Sequence, residues 1–270
     1  MKIVRTVARL RPRAAAAHKG DFGTVLVVAG SEAMLGAAVL CASGALRGGA
    51  GLVQVALPAA LQPLLPIAVP GAVTSSRQTA ALQGAVSKAT AIVAGPGLGA
   101  TAATRLLVRA ILRSSRVPVV LDADALNVLA PLEARPKSRS ALVLTPHPGE
   151  AGRLLGSDSR RVQADRTGAV QALCKRSGAV VVLKGAGTLV CDGTRCYTNR
   201  TGNPGMATGG SGDVLAGLLG ALLAQGLLPF EAACLAVHTH GRAGDLAARN
   251  LGQRGLLAAD LPLAIAQVLR

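Results

Sequence analysis

Apolar residues fall in short continuous runs along this chain. Each run ends in glycine or a polar residue before a stretch with helical spacing. "TVLVVAG" (24–30) is rich in β-branched residues, and "MLGAAVLCASGALRGG" (34–49) has helical spacing and closes on a glycine pair. "LVQVALP" (52–58) reads as a strand, "AIVAGPGLG" (91–99) as a strand entering a glycine loop, and "TAATRLLVRAILRSS" (101–115) as an amphipathic helix. "PVVLDADALNVLA" (118–130) and "ALVLTPHPGEAGRLLG" (141–156) each start as strands and become helices. Pro148 stands in a first turn, where its missing N–H is no loss. A longer helix is predicted over 160–177. Strands apolar on both faces, alternating with helices, predict an α/β fold: a mostly parallel central sheet with helices on both faces.

The rhythm then changes. "AVVVLKG" (179–185), "GTLVCDG" (187–193) and "RCYTNR" (195–200) are short runs between turn residues, which predicts a late antiparallel edge. Helices return over 212–225, 229–250 and about 260–269. No Pro/Gly/Ser-rich linker interrupts the chain and no internal repeat is visible. The expected organisation is therefore a basic lead-in over residues 1–17 and a single domain over 18–270.

Composition adds little to the fold and more to the question of partners. Half of the residues are hydrophobic, yet the aromatics are only Phe22, Phe230 and Tyr197, so small aliphatic side chains must fill the interior. The apolar run 214–224 is eleven residues long, against the roughly 20 that span a bilayer, and reads as a buried helix. Five cysteines with irregular spacing and no C-x-x-C pair predict reduced, mostly buried thiols rather than disulfides or a zinc site. The net charge of +16 attracts anions, but the arginines are scattered and almost no aromatic residue is present to stack on bases. A solvated basic surface is expected, with no nucleic acid and no membrane as partner. The acid-free opening "MKIVRTVARLRPRAAAAHKG" reads as a basic lead-in or a transit peptide; it lacks the apolar core of a secretory signal.

In parallel sheets ligands bind beyond the carboxyl ends of the strands. This chain places Gly30-Ser31-Glu32, Gly95-Pro96-Gly97-Leu98-Gly99, Asp122-Ala123-Asp124, Thr145-Pro146-His147-Pro148 and Lys184-Gly185 at such ends. Gly209-Gly210-Ser211-Gly212-Asp213 stands before the apolar helix. Backbone N–H groups there can turn inward together, and the helix adds the positive end of its dipole: a cradle for a phosphoryl group. Asp213 is then either the base for an attacking hydroxyl or an ordinary cap. Asp124 is likewise either a carboxylate for Mg²⁺ or the cap of the next helix. His147, between two prolines, is expected to contact a ligand, whereas His238 and His240, two apart on a helix, are expected to be structural.

Seven segments, "HKGDFGTVLVVAGS", "GAAVLCASGALRGGAGLV", "GPGLG", "LDADALN", "LTPHPGE", "VVLKGAGTLV" and "TGNPGMATGGSGDVLAGLLGALLAQG", resemble in order those of the NAD(P)H-hydrate dehydratase family. That family lies within the ribokinase-like superfamily and is similar to the C-terminal half of bifunctional hydrate repair enzymes. The match spans roughly residues 18 to 250, and seven pieces in register make it specific. The resemblance implies a ribokinase-like fold and a lyase that repairs NADHX and NADPHX, the hydrates of NADH and NADPH. ADP or ATP phosphorylates the added hydroxyl, and phosphate is then eliminated. It implies Asp213 as the base, and the amides of Gly210, Ser211 and Gly212 as the anion hole. Lys184, Gly185, Ala186, Gly187, Thr188 and Gly212 would bind the nucleotide. Gly36, Ala37, Gly97, His147 and Asp213 would contact the hydrate. Asn127 and Glu150 would organise Mg²⁺ or phosphate. It further implies a cytoplasmic homotetramer working with a separate epimerase, the bifunctional forms' N-terminal domain being absent from this sequence. The nearest alternative is a small-molecule kinase of the same superfamily, of the hydroxyethylthiazole kinase type.

Overall fold

The computed structural model describes residues 1–269. The valine-rich runs form the middle of its sheet because they can be hidden on both sides: all of Val25–Val28 and Ala91–Ala94 is fully buried. In chain order the first elements are β1 (Lys2–Val4), β2 (Thr24–Val28), α1 (Leu35–Arg47), β3 (Leu52–Leu57), α2 (Leu65–Ala68), β4 (Ala72–Ser76) and α3 (Thr79–Lys88). Then come β5 (Ala91–Ala94), α4 (Ala102–Ser114), β6 (Val119–Leu121), α5 (Asp124–Asn127), β7 (Leu142–Leu144), α6 (Pro148–Leu155) and α7 (Ser159–Ala164). The last are α8 (Arg166–Ser177), β8 (Val180–Leu183), β9 (Leu189–Cys191), β10 (Arg195–Thr198), α9 (Ser211–Ala224), α10 (Pro229–Leu251) and α11 (Leu261–Val268).

The strands lie in the order β1-β10-β9-β8-β7-β6-β5-β2-β3-β4. From β4 to β8 every neighbouring pair is parallel, and β8/β9 and β9/β10 are antiparallel. Successive strands after β2 build outward to one side and those after β5 to the other, so the order reverses between β2 and β5. Loops diverge above such a reversal and leave a crevice. Alternate strand residues feed two cores. Val25, Val27 and Val93 face the layer of α1, α9, α10 and α11, and Leu26, Val28 and Ile92 face the layer of α3, α4, α6 and α8.

The long apolar helix is α9, and its glycines explain its burial. A Cβ on Gly217 would stand 1.9 Å from the Cys41 carbonyl oxygen, and one on Gly44 would stand 2.3 Å from that of Val214. The backbones of α1 and α9 therefore touch. On α9's other side a Cβ on Gly220 would meet Val93 at 2.4 Å, so the sheet closes on it as tightly.

Three expectations need correction. The helix expected over 160–177 is two helices, α7 and α8, because Asp165 leaves helical geometry and accepts the Gly168 N–H at 2.8 Å, as a capping residue does. β8 is not simply part of an antiparallel edge; it pairs parallel with β7 and antiparallel with β9. The cysteines are not all reduced: Cys191 and Cys196 are directly opposite across the β9/β10 hairpin and form a disulfide, while Cys41, Cys174 and Cys234 are free and buried. Pairing across a tight hairpin brought together two thiols whose spacing matched no familiar pattern. The sequence reading assigned no element to β1, α2, β4 or α3. β4 ("AVTSS") carries mostly polar residues, as an edge strand can, and β1 has only three residues.

Candidate active site

Helix α9 begins from a residue that only glycine suits. Gly210 is its N-cap with φ +91°, and a Cβ there would lie 2.3 Å from Leu40. The opening turn, Ser211-Gly212-Asp213, presents N–H groups with no acceptors inside the helix, and Ser211 N makes a long bond, 3.4 Å, to Thr208 O outside it. A Cβ on Gly212 would come within 3.2 Å of Lys184 Nζ, so a side chain at 212 would crowd that ammonium.

Lys184 follows β8, and its side chain is 18% exposed. It donates to Asp122 Oδ1 at 2.6 Å and lies 3.8 Å from Glu150 Oε2. Burial disfavours its charge, but Asp122 and Glu150 more than offset that, and its pKa is raised. Asp122, at the end of β6, is buried and also accepts from Thr145 Oγ1 at 2.8 Å. Its backbone is pressed on the neighbouring loop, since a Cβ on Gly95 would stand 1.7 Å from the Asp122 carbonyl oxygen. The next residue, Ala123, has φ +50° and ψ −117°, a region L-residues avoid. That strain sits between Asp122 and Asp124, whose directions it sets.

Asp213 is held near neutrality. Burial is the main cause, the Asp122 charge adds to it, and Lys184 partly opposes; its pKa rises to about 7. A carboxyl that exchanges its proton near pH 7 suits a general base.

His147 caps α6, with Nδ1 accepting from Gly149 N at 2.9 Å and Glu150 N at 3.4 Å. Glu150 completes the capping box by accepting the His147 N–H at 2.7 Å. Accepting at Nδ1 leaves the proton on Nε2, which lies 3.5 Å from Glu150 Oε1, and the side chain is half exposed. Burial, then Lys184 and Arg153, lower its pKa, so the ring is neutral. Glu150 is itself buried, and burial raises its pKa despite Lys184.

Of the other expected positions, Gly97 and Ala37 are brought together: a Cβ on Gly97 would lie 2.9 Å from Ala37 Cβ and from Met34. Gly36, beside them in the first turn of α1, is exposed, with open space where its side chain would be. The loop Lys184-Gly185-Ala186-Gly187-Thr188 is shaped by positive φ at Gly185 and Gly187 and by Thr188 Oγ1 donating to Gly185 O at 2.8 Å. Arg166 pins it by donating to Leu183 O and Lys184 O at 3.1 and 3.2 Å. Asn127 is tied into a different chain: it donates to Asp124 Oδ1 at 3.2 Å and accepts from Arg153 Nε at 2.9 Å, while Asp124 Oδ2 accepts from Gly99 N at 2.8 Å. Asn127 and Glu150 thus belong to separate networks. Among the described residues no group of three His, Cys, Asp or Glu side chains is arranged to hold a metal ion.

Sequence reasoning did not single out the Asp122–Lys184 pair, because its partners are 62 residues apart and only the sheet brings them together. His240 is buried beside the Ser211 backbone, and burial pushes it down to about 4, so it is neutral.

Residues 25–267 match the family model described as NAD(P)H-hydrate dehydratase. The chain is 46% identical to the ADP-dependent (S)-NAD(P)H-hydrate dehydratase of Neisseria meningitidis serogroup B, over 93% of this chain and 86% of that protein. It is 43% identical to the bifunctional NAD(P)H-hydrate repair enzyme Nnr of Moorella thermoacetica, over 97% of this chain and 52% of that protein. The chain thus spans about half the length of the bifunctional relatives it matches. Among solved structures it resembles the ADP/ATP-dependent NAD(P)H-hydrate dehydratase of Bacillus subtilis co-crystallised with ATP/Mg²⁺. The TM-score is 0.87 at 33% identity, over 96% of this chain and 93% of that one.

Proposed function

The chain belongs to the NAD(P)H-hydrate dehydratase family, and from that premise we propose that it converts NADHX and NADPHX back to NADH and NADPH, with ADP or ATP as phosphoryl donor. Asp213 is the base. Ionised, it takes the proton of the hydrate's hydroxyl as that oxygen attacks the donor's terminal phosphorus. The amides of Gly210, Ser211 and Gly212 face the charge that develops on the transferring group. The nucleotide lies along Lys184, Gly185, Ala186, Gly187 and Thr188, with its terminal phosphate over Gly212. Gly36, Ala37, Gly97 and His147 hold the dihydronicotinamide side, with the Nε2 proton of His147 as a neutral donor.

Phosphorylation turns a poor leaving group into a good one. The ring-nitrogen lone pair expels phosphate with the C–O electron pair, and loss of a proton from the adjacent ring carbon restores the double bond. Magnesium arriving on the nucleotide would supply charge neutralisation. In this reading Glu150 and Asn127, which lie in separate networks, would organise the ion's water shell, since Mg²⁺ on phosphates needs few protein ligands. The same proposal includes a cytoplasmic homotetramer that works with an epimerase acting on the hydrate. Among the described residues no helix is long and apolar enough to cross a membrane.

The observation that carries this reading is the Asp213 carboxyl, held at about 7 beside the glycine cradle and the Lys184 ammonium. Incubation with acid-hydrated NADH or NADPH, Mg²⁺ and each nucleotide in turn should restore reduced-nicotinamide absorbance, with one nucleotide cleaved per cofactor recovered. Stable phosphorylation of a small alcohol, with no absorbance gained, would instead identify a kinase.

A further inference from the structure

Arg77 follows β4 at the same end of the sheet as the glycine loops. Its Nη2 donates to Ala29 O at 3.2 Å and to Gly30 O, where β2 leaves the sheet. These are the residues at the strand-order reversal, and Gly30 N donates in turn to Pro96 O at 2.7 Å across it. The patch is continuous with the proposed substrate side. A Cβ on Gly30 would meet Ala38 of α1 and the carbonyl of Met34 just before it, and one on Gly97 would meet Ala37 and Met34.

The guanidinium is half-buried, and burial alone lowers its pKa to about 10. It takes part in none of the ion pairs that Lys or Arg side chains make among the described residues, which are Lys184–Asp122, Lys184–Glu150, Arg195–Asp192 and Arg195–Glu231. Its Nε is buried with no hydrogen-bond partner there. Two carbonyl contacts fix the plane of the group without neutralising it. A part-buried cation left uncompensated is costly unless a ligand supplies the counter-charge, and a planar guanidinium matches phosphate oxygens in particular.

We propose that Arg77 recognises a phosphate of the hydrated dinucleotide, either its pyrophosphate bridge or the 2′-phosphate of NADPHX, at the reversal between β2 and β5. This rests on the dehydratase reading and extends it with a specificity residue outside the chemistry at Asp213.

The test compares wild type, Arg77→Gln and Arg77→Lys for kcat and KM with NADHX, NADPHX and ADP, and by calorimetric titration with unhydrated NADH and NADPH. Arg77→Gln is expected to raise the hydrate KM at least ten-fold, with kcat within two-fold and the ADP KM unchanged; the Lys variant should fall between. Equal effects on both hydrates assign the pyrophosphate, and an effect confined to NADPHX assigns the 2′-phosphate. A folded Gln variant with wild-type KM and wild-type dinucleotide Kd would overturn the proposal, as would a loss confined to kcat or to the ADP KM. Should the Gln variant fail to fold, Arg77→Lys decides: weakened hydrate binding supports the contact, and unchanged KM and Kd refute it. If wild type restores no cofactor, the dehydratase reading fails by itself. The titrations still read Arg77, through a Kd at least ten-fold weaker in the Gln variant; no dinucleotide binding by wild type refutes it.

Discussion

In the proposed mechanism a single carboxyl, Asp213, carries the chemistry. Burial and the Asp122 charge lift its pKa to about 7, while Lys184 pulls the other way. Because the base acts ionised, the rate is expected to rise with pH through about 7 and level off above it. Asp213→Asn should fold and lose turnover by roughly 10²- to 10⁴-fold, the usual contribution of a positioned base; initial rates of cofactor recovery measure it. Asp122→Asn removes the negative neighbour that raises Asp213, and leaves Lys184 without its closest partner. Both changes favour the ionised carboxylate, so the rising limb of the pH–rate profile should move toward acid. A limb that stayed in place would mean that Asp122 does not tune the base.

Helix α9 carries that carboxyl, and its placement depends on glycines rather than on large side chains. Gly217 and Gly44 let α1 and α9 touch backbone to backbone, and Gly220 leaves room for the Val93 side chain of β5. Gly217→Ala puts a methyl group 1.9 Å from a backbone oxygen that cannot rotate away. The helices must separate, and the expected destabilisation is about 3 kcal/mol, at the upper end for overpacking, as read from chemical denaturation. Because the displaced element starts at the cradle, kcat should fall in the same variant. The opposite element, α6, uses His147 and Glu150 in one capping box, so the proline-flanked histidine is held by its own helix. Its place in a proline-bounded loop was legible in "TPHPGE"; its capping role and tautomer were not, since those follow from which N–H groups Nδ1 meets.

Across the whole molecule, the Asp213 site works against stability. The native pKa of about 7 lies above the ordinary 3.8, so the native state keeps a proton that the unfolded chain has released. Stability therefore falls as pH rises between these values, and the loss is complete above about 7. Asp213→Asn should accordingly melt at a higher temperature than wild type at pH 8, with the gap narrowing toward pH 4, as thermal scans of the ligand-free proteins would show. The alternation of apolar strands and helices, the glycine cradle before α9 and the rim of loops at the strand ends were all readable along the chain, because each depends on neighbours a few residues apart. Asp122 with Lys184, Cys191 with Cys196, and Arg77 against the end of β2 were not. Periodicity and local turn chemistry determine which elements form and where the chain can bend. Which strand lies beside which, and so which distant charges share one buried space, is settled only when the sheet assembles and excludes water from between them.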